Sequence, residues 1–358
     1  MLSQVHYYVL KYRWWIHDIQ DIRQKIRLSG AEPLSQSEKK EIQAFWKPLV
    51  GKKVPVYWHQ YFKARNGFFS ARYVPTAVYH YDMIFHLNYR PLLKAYANKA
   101  FYDTLFPDVR RPRTVIKRMN GFYYDDKHPL TQEEAFERCW TRKDLVVKPA
   151  LDGMWGRGVR IFSTNNGRVG EESLSSLLEP YGLNFVVQEK VVQHERMSAL
   201  NPTSLNTIRV LSYRHGNEIV IMYAVVRIGR KGQLVDNETA GGINADIDLT
   251  TGRIRDCAYG TPAEKKILRT DVGTELKGFS IPSFDAIIRL VKELHLNLPY
   301  FKLVGWDIGI DNEGQPVMIE FNRAPDLSQT AHGPAFGDLT EEIVQDARHG
   351  FDSYKIIF

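Results

Sequence analysis

Cysteine is scarce: two in 358 residues, Cys139 and Cys257. They form neither a disulfide framework nor a metal-ligand spacing, which excludes a disulfide-stapled secreted fold and points to a reducing, cytoplasmic setting. No uncharged run reaches the length of a membrane helix, and the first thirty residues lack the apolar core of a signal peptide. Internal repeats and low-complexity segments are missing. So is any evident Ser-His-Asp or Cys-His arrangement for nucleophilic catalysis. What remains is ordinary for a soluble globular protein, with 44% hydrophobic and 25% charged residues and length for two or three domains. Base exceeds acid by seven charges and the isoelectric point is near 9.1. Such a balance suits polyanionic partners: nucleotide phosphates, acidic glycans, anionic lipid or nucleic acid.

The most informative stretch is residues 301–327, FKLVGWDIGIDNEGQPVMIEFNRAPDL. It reads as two strands joined by a turn at Asn312-Glu313-Gly314, where glycine supplies the positive φ of a short hairpin. Alternation puts Val304, Trp306, Ile308 and Ile310 on one face and Gly305, Asp307 and Gly309 on the other. On the second strand Val317, Ile319 and Phe321 point one way and Met318, Glu320 and Asn322 the other. The register then sets Asp307 opposite Glu320, with Asn322 one pleat further along. Two carboxylates and an amide carbonyl converge, and the flanking glycines leave room for a ligand. This hard-oxygen set suits Mg²⁺; a merely solvated hairpin face is the competing reading of the three residues alone.

Taken in order, residues 1–94 read as a mostly helical, aromatic- and base-rich domain on the substrate side. Trp15, Ile19, Ile22 and Ile26 keep helical spacing. The helix either lies on an anionic membrane as a peripheral anchor or packs on its own domain with lysines at the rim, and the second reading is preferred. Ser35-Gln36-Ser37-Glu38 is a helix start. Lys99 comes early in a helix that stops before Pro107. Asp144–Lys148 is a short strand running into a glycine loop, LDGMWGRG, with Gly153, Gly156 and Gly158, then a strand at Val159–Phe162. It is a flexible hairpin able to close its N–H groups over phosphates, and no Walker loop. Asn184–Val192 is a strand whose far end, Gln188–Val191, is placed to offer backbone to a planar base. NTIRVLSY and IVIMYAVVRIG form two strands turning at 215–218, with Arg209 and Arg227 inside otherwise apolar runs. Each is a structural ion-pair member or a phosphate clamp. Residues 237–247 are a polar glycine turn leading into a strand, and Asp285–His295 is an amphipathic helix.

Lys99, strand-Lys148-Pro149 with its glycine hairpin, Gln188-Glu189, Asn206-Thr-Ile-Arg209, Asn237…Gly241-Gly242 and Asp307…Glu320-Phe-Asn322 follow one another in an order that resembles the ATP-grasp superfamily. The nearest likeness is to its glutamate-ligase-like and sugar-transfer-associated branches, over residues from about 96 to 345. The resemblance implies an α+β fold: two α/β lobes gripping ATP, 95–190 with the lid and 191–358 with the metal site, after the helical domain. It implies ATP and two Mg²⁺ ions as cofactors. A carboxylate substrate would take the γ-phosphoryl, and an amine acceptor would attack the acylphosphate, either of them sugar-linked. Nucleic acid is not an expected partner. By the same resemblance Lys99 and Lys148 contact phosphates, Gly153, Gly156 and Gly158 belong to the lid, and Gln188, Glu189 and Val191 meet adenine. Glu195 (or His194) lies near the ribose, Arg209 and Arg227 hold the transferred phosphoryl or the acid, and Asp307, Glu320 and Asn322 bind metal. A phosphotransferase acting on a hydroxyl is the alternative, and a non-catalytic binder of acidic glycan or nucleic acid a third.

Two departures stand out. The amino-terminal region lacks the look of the Rossmann-like domain many members carry. The metal strand ends Asn-Arg323-Ala-Pro-Asp rather than Asn-x-x-Pro-Gly, making Arg323 either an extra contact for an anionic substrate or a surface residue.

Overall fold

The computed structural model describes residues 2–151, 158–164, 168–169 and 172–353. Among these no strand precedes Thr114. Helix α1 (Leu2–Ser29) brings Ile22 into an aromatic cluster of Trp58, Tyr61, Phe62 and Tyr73, with Ile26 at its edge. Its carboxyl-terminal half therefore packs on its own domain, while Trp15 stays 41% exposed. Helix α2 (Gln36–Val50) starts at the Ser35–Glu38 capping box and ends at Gly51 in the left-handed region. It buries Ile42, Trp46 and Leu49. Helix α3 (Tyr57–Asn66) carries most of the aromatic cluster.

Two six-stranded antiparallel sheets follow. The first contains β1 (Thr114–Met119), β2 (Phe122–Tyr124), β3 (Pro129–Leu130), β4 (Leu145–Pro149), β5 (Arg160–Phe162) and β8 (Phe185–Glu189) in the order β3-β2-β1-β8-β4-β5. β6 (Arg168–Val169) and β7 (Glu172–Ser173) form a separate ribbon. Helix α4 (Gln132–Trp140), started by a Thr131–Glu134 capping box, puts Ala135 and Cys139 into the small core with Leu145, Val147, Phe185 and Val187. β4 and β5 are the expected hairpin; the stretch from Thr114 to Trp140, unread in the sequence, supplies half of the sheet.

The second sheet runs β12-β11-β10-β9-β13-β14 and is built from β9 (Thr207–His215), β10 (Glu218–Ile228), β11 (Ile243–Ile247), β12 (Ile254–Tyr259), β13 (Leu303–Ile310) and β14 (Pro316–Asn322). Alternation divides it cleanly. Ile208, Val210, Ala224, Val226, Trp306 and Ile308 face helix α5 (Phe284–Leu296) and its Ile287, Val291 and Leu294. On the opposite face Leu211, Tyr213, Tyr223, Val225 and Leu303 share a core with Ile42, Trp46, Val74 and Tyr79 of the helical region. Phe336 and Ile343 complete that core; Ile343 comes from helix α7 (Thr340–Ser353). The buried Asn88 stitches the two together. Its amide accepts from Lys302 N and Leu303 N and donates to the carbonyls of Leu303, 2.7 Å, and Arg323, 2.6 Å.

One expectation about the hairpin is corrected. Strict alternation on β14 gives Met318 the face of Glu320, but the register steps from Asp307↔Glu320 to Ile308↔Met318, so Ile319 is a bulge residue. An extra residue reverses the alternation behind it, and Met318 joins Phe321 in the apolar core. The turn is as expected, with Gly314 at φ 76° and its N–H donating to Asp311 O.

Candidate active site

The upper part of the large sheet's second face is polar. Register aligns Glu320, Asp307, Arg209, Val225 and Asp246 in one row across five strands. Asp307, 3% exposed, is the centre. Arg209 donates through Nε to its Oδ1 and through Nη2 to its Oδ2, 2.8 Å, a fork-on-carboxylate pair. Arg227 Nη1 reaches Oδ2 from one strand further away, 3.3 Å, and Asn322 Nδ2 donates to the same oxygen, 3.3 Å. Burial alone pushes the Asp307 carboxyl up, but Arg209 and Arg227 outweigh it and hold the group down at about 2. Burial likewise opposes the charge on Arg209, and Asp307 overturns that, raising its pKa. Both arginines are thus ion-pair members, and their shared anion lies inside the candidate site.

The expected room beside the glycines is filled. A Cβ on Gly305 would meet Pro325 at 2.6 Å, and one on Gly309 would meet Ile319 at 3.3 Å. These glycines admit the chain's own side chains, not a ligand.

Lys99 starts a short 3-10 turn whose N–H is held by the carbonyl of Ala150, and its Nζ lies 3.3 Å from Glu320 Oε2. Lys148, on β4, is 8% exposed. Burial, with the charge of Lys99 added, pulls its pKa down to about 8, Glu320 offsetting part of the fall. The structure therefore brings Lys99, Lys148, Arg209, Arg227, Asp307, Glu320 and Asn322 into one neighbourhood that joins the two sheets.

The other expected residues are more scattered. Gln188 sits mid-sheet, its backbone paired with Thr114 and Val146 and its side-chain amide donating to Pro112 O. The N–H groups of Glu189 and Lys190 are taken by the carbonyls of Arg113 and Asp144, and the Glu189 carboxylate accepts from Arg142, 3.0 Å. Val191, just past the strand, makes no backbone hydrogen bond among the described residues. Glu195 is exposed on a single helical turn beside the β13–β14 turn, where His194 N donates to Ile310 O. Gly158 lies in the left-handed region at φ 74°, while Gly153 and Gly156 lie outside the described residues.

The family described as sugar-transfer associated ATP-grasp matches residues 81–344. The chain belongs to that family. Its ATP-grasp fold accords with the two lobes and the helical region before them. No curated protein matches by sequence. Among solved structures, the L-amino acid ligase of Bacillus licheniformis is 12% identical, with a TM-score of 0.39, over 71% of this chain and 48% of that one. The D-alanyl-alanine synthetase A of Vibrio cholerae is 14% identical with a TM-score of 0.43, over 72% and 66%. The D-alanine–D-alanine ligase of Bacillus anthracis is 14% identical with a TM-score of 0.41, over 73% and 70%. The chain spans 48% of the first of these and 66% of the second. No described helix is long and apolar enough to cross a membrane.

For an ATP-grasp protein the donor set around Asp307 fits a part-hydrated Mg²⁺ ion. Among the described residues no cluster of three His, Cys, Asp or Glu side chains forms a closed cage. There are instead two carboxylates and an amide, the number Mg²⁺ takes when phosphate and water complete its octahedron. Both carboxylates carry cationic side chains here, Lys99 on Glu320 and the arginines on Asp307, so a metal ion would share or displace those partners. Asn322 would present its oxygen after a rotation of its amide.

Sequence reasoning missed several polar groups of this face. Asp236 accepts from Thr207 N and Oγ1, and Glu238 accepts from Asn244 Nδ2, 3.0 Å, on the loop before β11. Asp246 carries Arg255 on one oxygen and His332 on the other. The signal for Asp246 was available: it is a charge inside a fully buried strand, the same oddity that singled out Arg209 and Arg227.

Proposed function

We propose that this ATP-grasp protein is an ATP-dependent carboxylate–amine ligase that forms an amide through an acylphosphate, on sugar-linked substrates in glycan modification. In this reading residues 1–94 form the substrate side, 95–190 the small lobe with its glycine lid, and 191–358 the large lobe, in a cytoplasmic protein. The observation that carries it is the convergence of two guanidinium groups on the Asp307 carboxylate, Arg209 as a fork and Arg227 through one N–H. A place that holds one planar carboxylate between two guanidinium groups suits a substrate carboxylate, or its phosphorylated form, better than a neutral alcohol.

Amines do not displace hydroxide from a carboxylate at neutral pH, so the oxygen must first become a phosphate leaving group. Passing a phosphoryl group between two anions needs cations on every flank. Lys148 and Lys99 serve the nucleotide phosphates, and Arg209 and Arg227 the acceptor carboxylate. Mg²⁺ held by Glu320, Asn322 and one oxygen of Asp307 would neutralise phosphate charge. Adenine meets the chain near Val191, where the backbone leaves the sheet.

The test is trapping with hydroxylamine. An equimolar pool of the amino acids and hexuronic acids, with Mg·ATP and hydroxylamine, should give a hydroxamate, with ADP and free phosphate in equal amounts. A stable phosphate ester, indifferent to hydroxylamine, would instead identify a kinase.

A further inference from the structure

We infer that His332 is the general base that deprotonates the attacking amine, oriented by Asp246 and held in place by the helical amino-terminal region; this rests on the ligase reading above. The imidazole belongs to a single turn, α6 (Gln329–His332). Its Nδ1 lies 2.8 Å from Asp246 Oδ1. The other oxygen of Asp246 carries Arg255, 2.9 Å, so the group is a carboxylate and can only accept. In the neutral ring Nδ1 therefore bears the proton and the lone pair is on Nε2. Among the described residues nothing hydrogen-bonds Nε2, and the side chain is 22% exposed. The ring lies on Tyr223, with centroids 4.9 Å apart and planes at 27°.

Its position matters as much as its tautomer. Tyr223 and Asp246 belong to the same sheet face as Arg209, Arg227 and Asp307, and Asp246 is in the cross-strand row of Arg209 and Asp307. Strands are roughly 4.8 Å apart, so an imidazole lying over β10 stands one strand from Arg209.

A purely structural role explains less. Asp246 already has Arg255 as its counter-charge, and the Tyr223 hydroxyl already accepts from Ser328 N, 2.9 Å. Neither needs the imidazole. The turn that carries His332 is nonetheless fixed with care. Gln329 is 1% exposed, and its side chain accepts from Val74 N, 2.8 Å, and donates to Val74 O, 2.9 Å. Asn66 Nδ2 donates to the Gln329 carbonyl, 3.3 Å. The helical region thus sets where the base stands.

In the step assigned to it, an ammonium group gives one proton to His332 Nε2, and the freed lone pair attacks the acylphosphate carbon. The C–N bond forms, and the C–O bond to phosphorus breaks with its electron pair leaving on phosphate. The second nitrogen proton goes to the departing phosphate, and His332 releases the first to water.

Hydroxylamine and ammonia are of similar size, but at neutral pH the first is uncharged and the second is ammonium, so only the second needs a base. The pool of acids with Mg·ATP is therefore supplied with either hydroxylamine or ammonium chloride, and the primary amide is measured against the hydroxamate. His332→Gln should lower the amide-to-hydroxamate ratio at least ~10²-fold, the lower end for general-base catalysis. An unchanged ratio, or a wild type that makes hydroxamate and no primary amide, overturns the assignment and leaves the ligase reading standing. A wild type that makes neither product overturns both. Should His332→Gln not fold, Asp246→Asn is read the same way, with the ratio expected to fall about tenfold for loss of an orienting partner.

Discussion

On the small-lobe side Lys148 is buried near Lys99, and the carboxylate that offsets them, Glu320, belongs to the other lobe; on the large sheet Arg209 and Arg227 close on Asp307 from one and two strands away in the same sheet. The first pair is under-compensated, and Lys148 shows it in a pKa pulled down to about 8. The second is satisfied, and Asp307 shows it in a pKa held at about 2. A cation left short of anions gains most when a polyphosphate arrives. A cation already paired contributes geometry before the substrate comes and must exchange partners to bind it. In the proposed ligase the two sheets would thus divide the work between attracting the nucleotide and aligning the acid.

The sharpest way to break the comparison is Asp307→Asn. It leaves two largely buried guanidiniums without their anion and should cost about 3–5 kcal/mol in urea unfolding. Lys148→Met removes an under-compensated charge and should leave stability unchanged or raised while weakening nucleotide binding. If both variants lose comparable stability, the two regions do not differ as described.

Next in size is Glu320→Gln, which keeps the shape but removes the carboxylate shared between the lobes. Its side chain is 30% exposed, so melting should change little. Turnover of Mg·ATP should fall about 10²-fold, the scale for one preorganised electrostatic group. Near-wild-type turnover would take Glu320 out of the site.

Arg227→Lys retains the charge and loses the fork. The KM for the acid should rise about tenfold, equivalent to one charged hydrogen bond, with the KM for ATP unmoved. An equal effect on both would place Arg227 on the nucleotide instead.

The smallest signal is a proton count. With its pKa near 8, Lys148 is half protonated at pH 8, and a bound polyphosphate draws it to full charge. Binding of a Mg·ATP analogue should take up about half a proton there, read by calorimetry in buffers of different ionisation enthalpy, and Lys148→Met should abolish it. The same lowered pKa means that, between about 8 and 10.5, the unfolded chain binds the proton the folded one has lost, so this lysine's contribution to stability rises with pH across that window. Asp307 acts at the other end: its contribution is complete above 3.8 and is lost as pH falls towards about 2.

The hairpin, its turn and the facing of Asp307 and Glu320 were legible because period-two alternation and a glycine turn are local signals. The bulge at Ile319 was not, since a one-residue slip leaves no mark in composition; in the structure Ile319 lies against Gly309. The stretch from Thr114 to Trp140 went unread although Thr131-Gln-Glu-Glu134 spelled a capping box. Its strands are short, and β1 is a strand chiefly because β8 and β2 flank it.

The sequence by itself determined which residues could carry charge in a fold whose strands are otherwise apolar. Arg209, Arg227 and Asp307 are conspicuous because a buried charge must find a partner. Only the tertiary structure decided which partner. Residues about a hundred positions apart met on adjacent strands because β9 lies between β10 and β13, an order fixed by which faces bury the most apolar surface. It also laid the helical region over the same face and set His332 on Asp246. Those contacts join distant segments, and no pattern within either segment encodes where the other will pass.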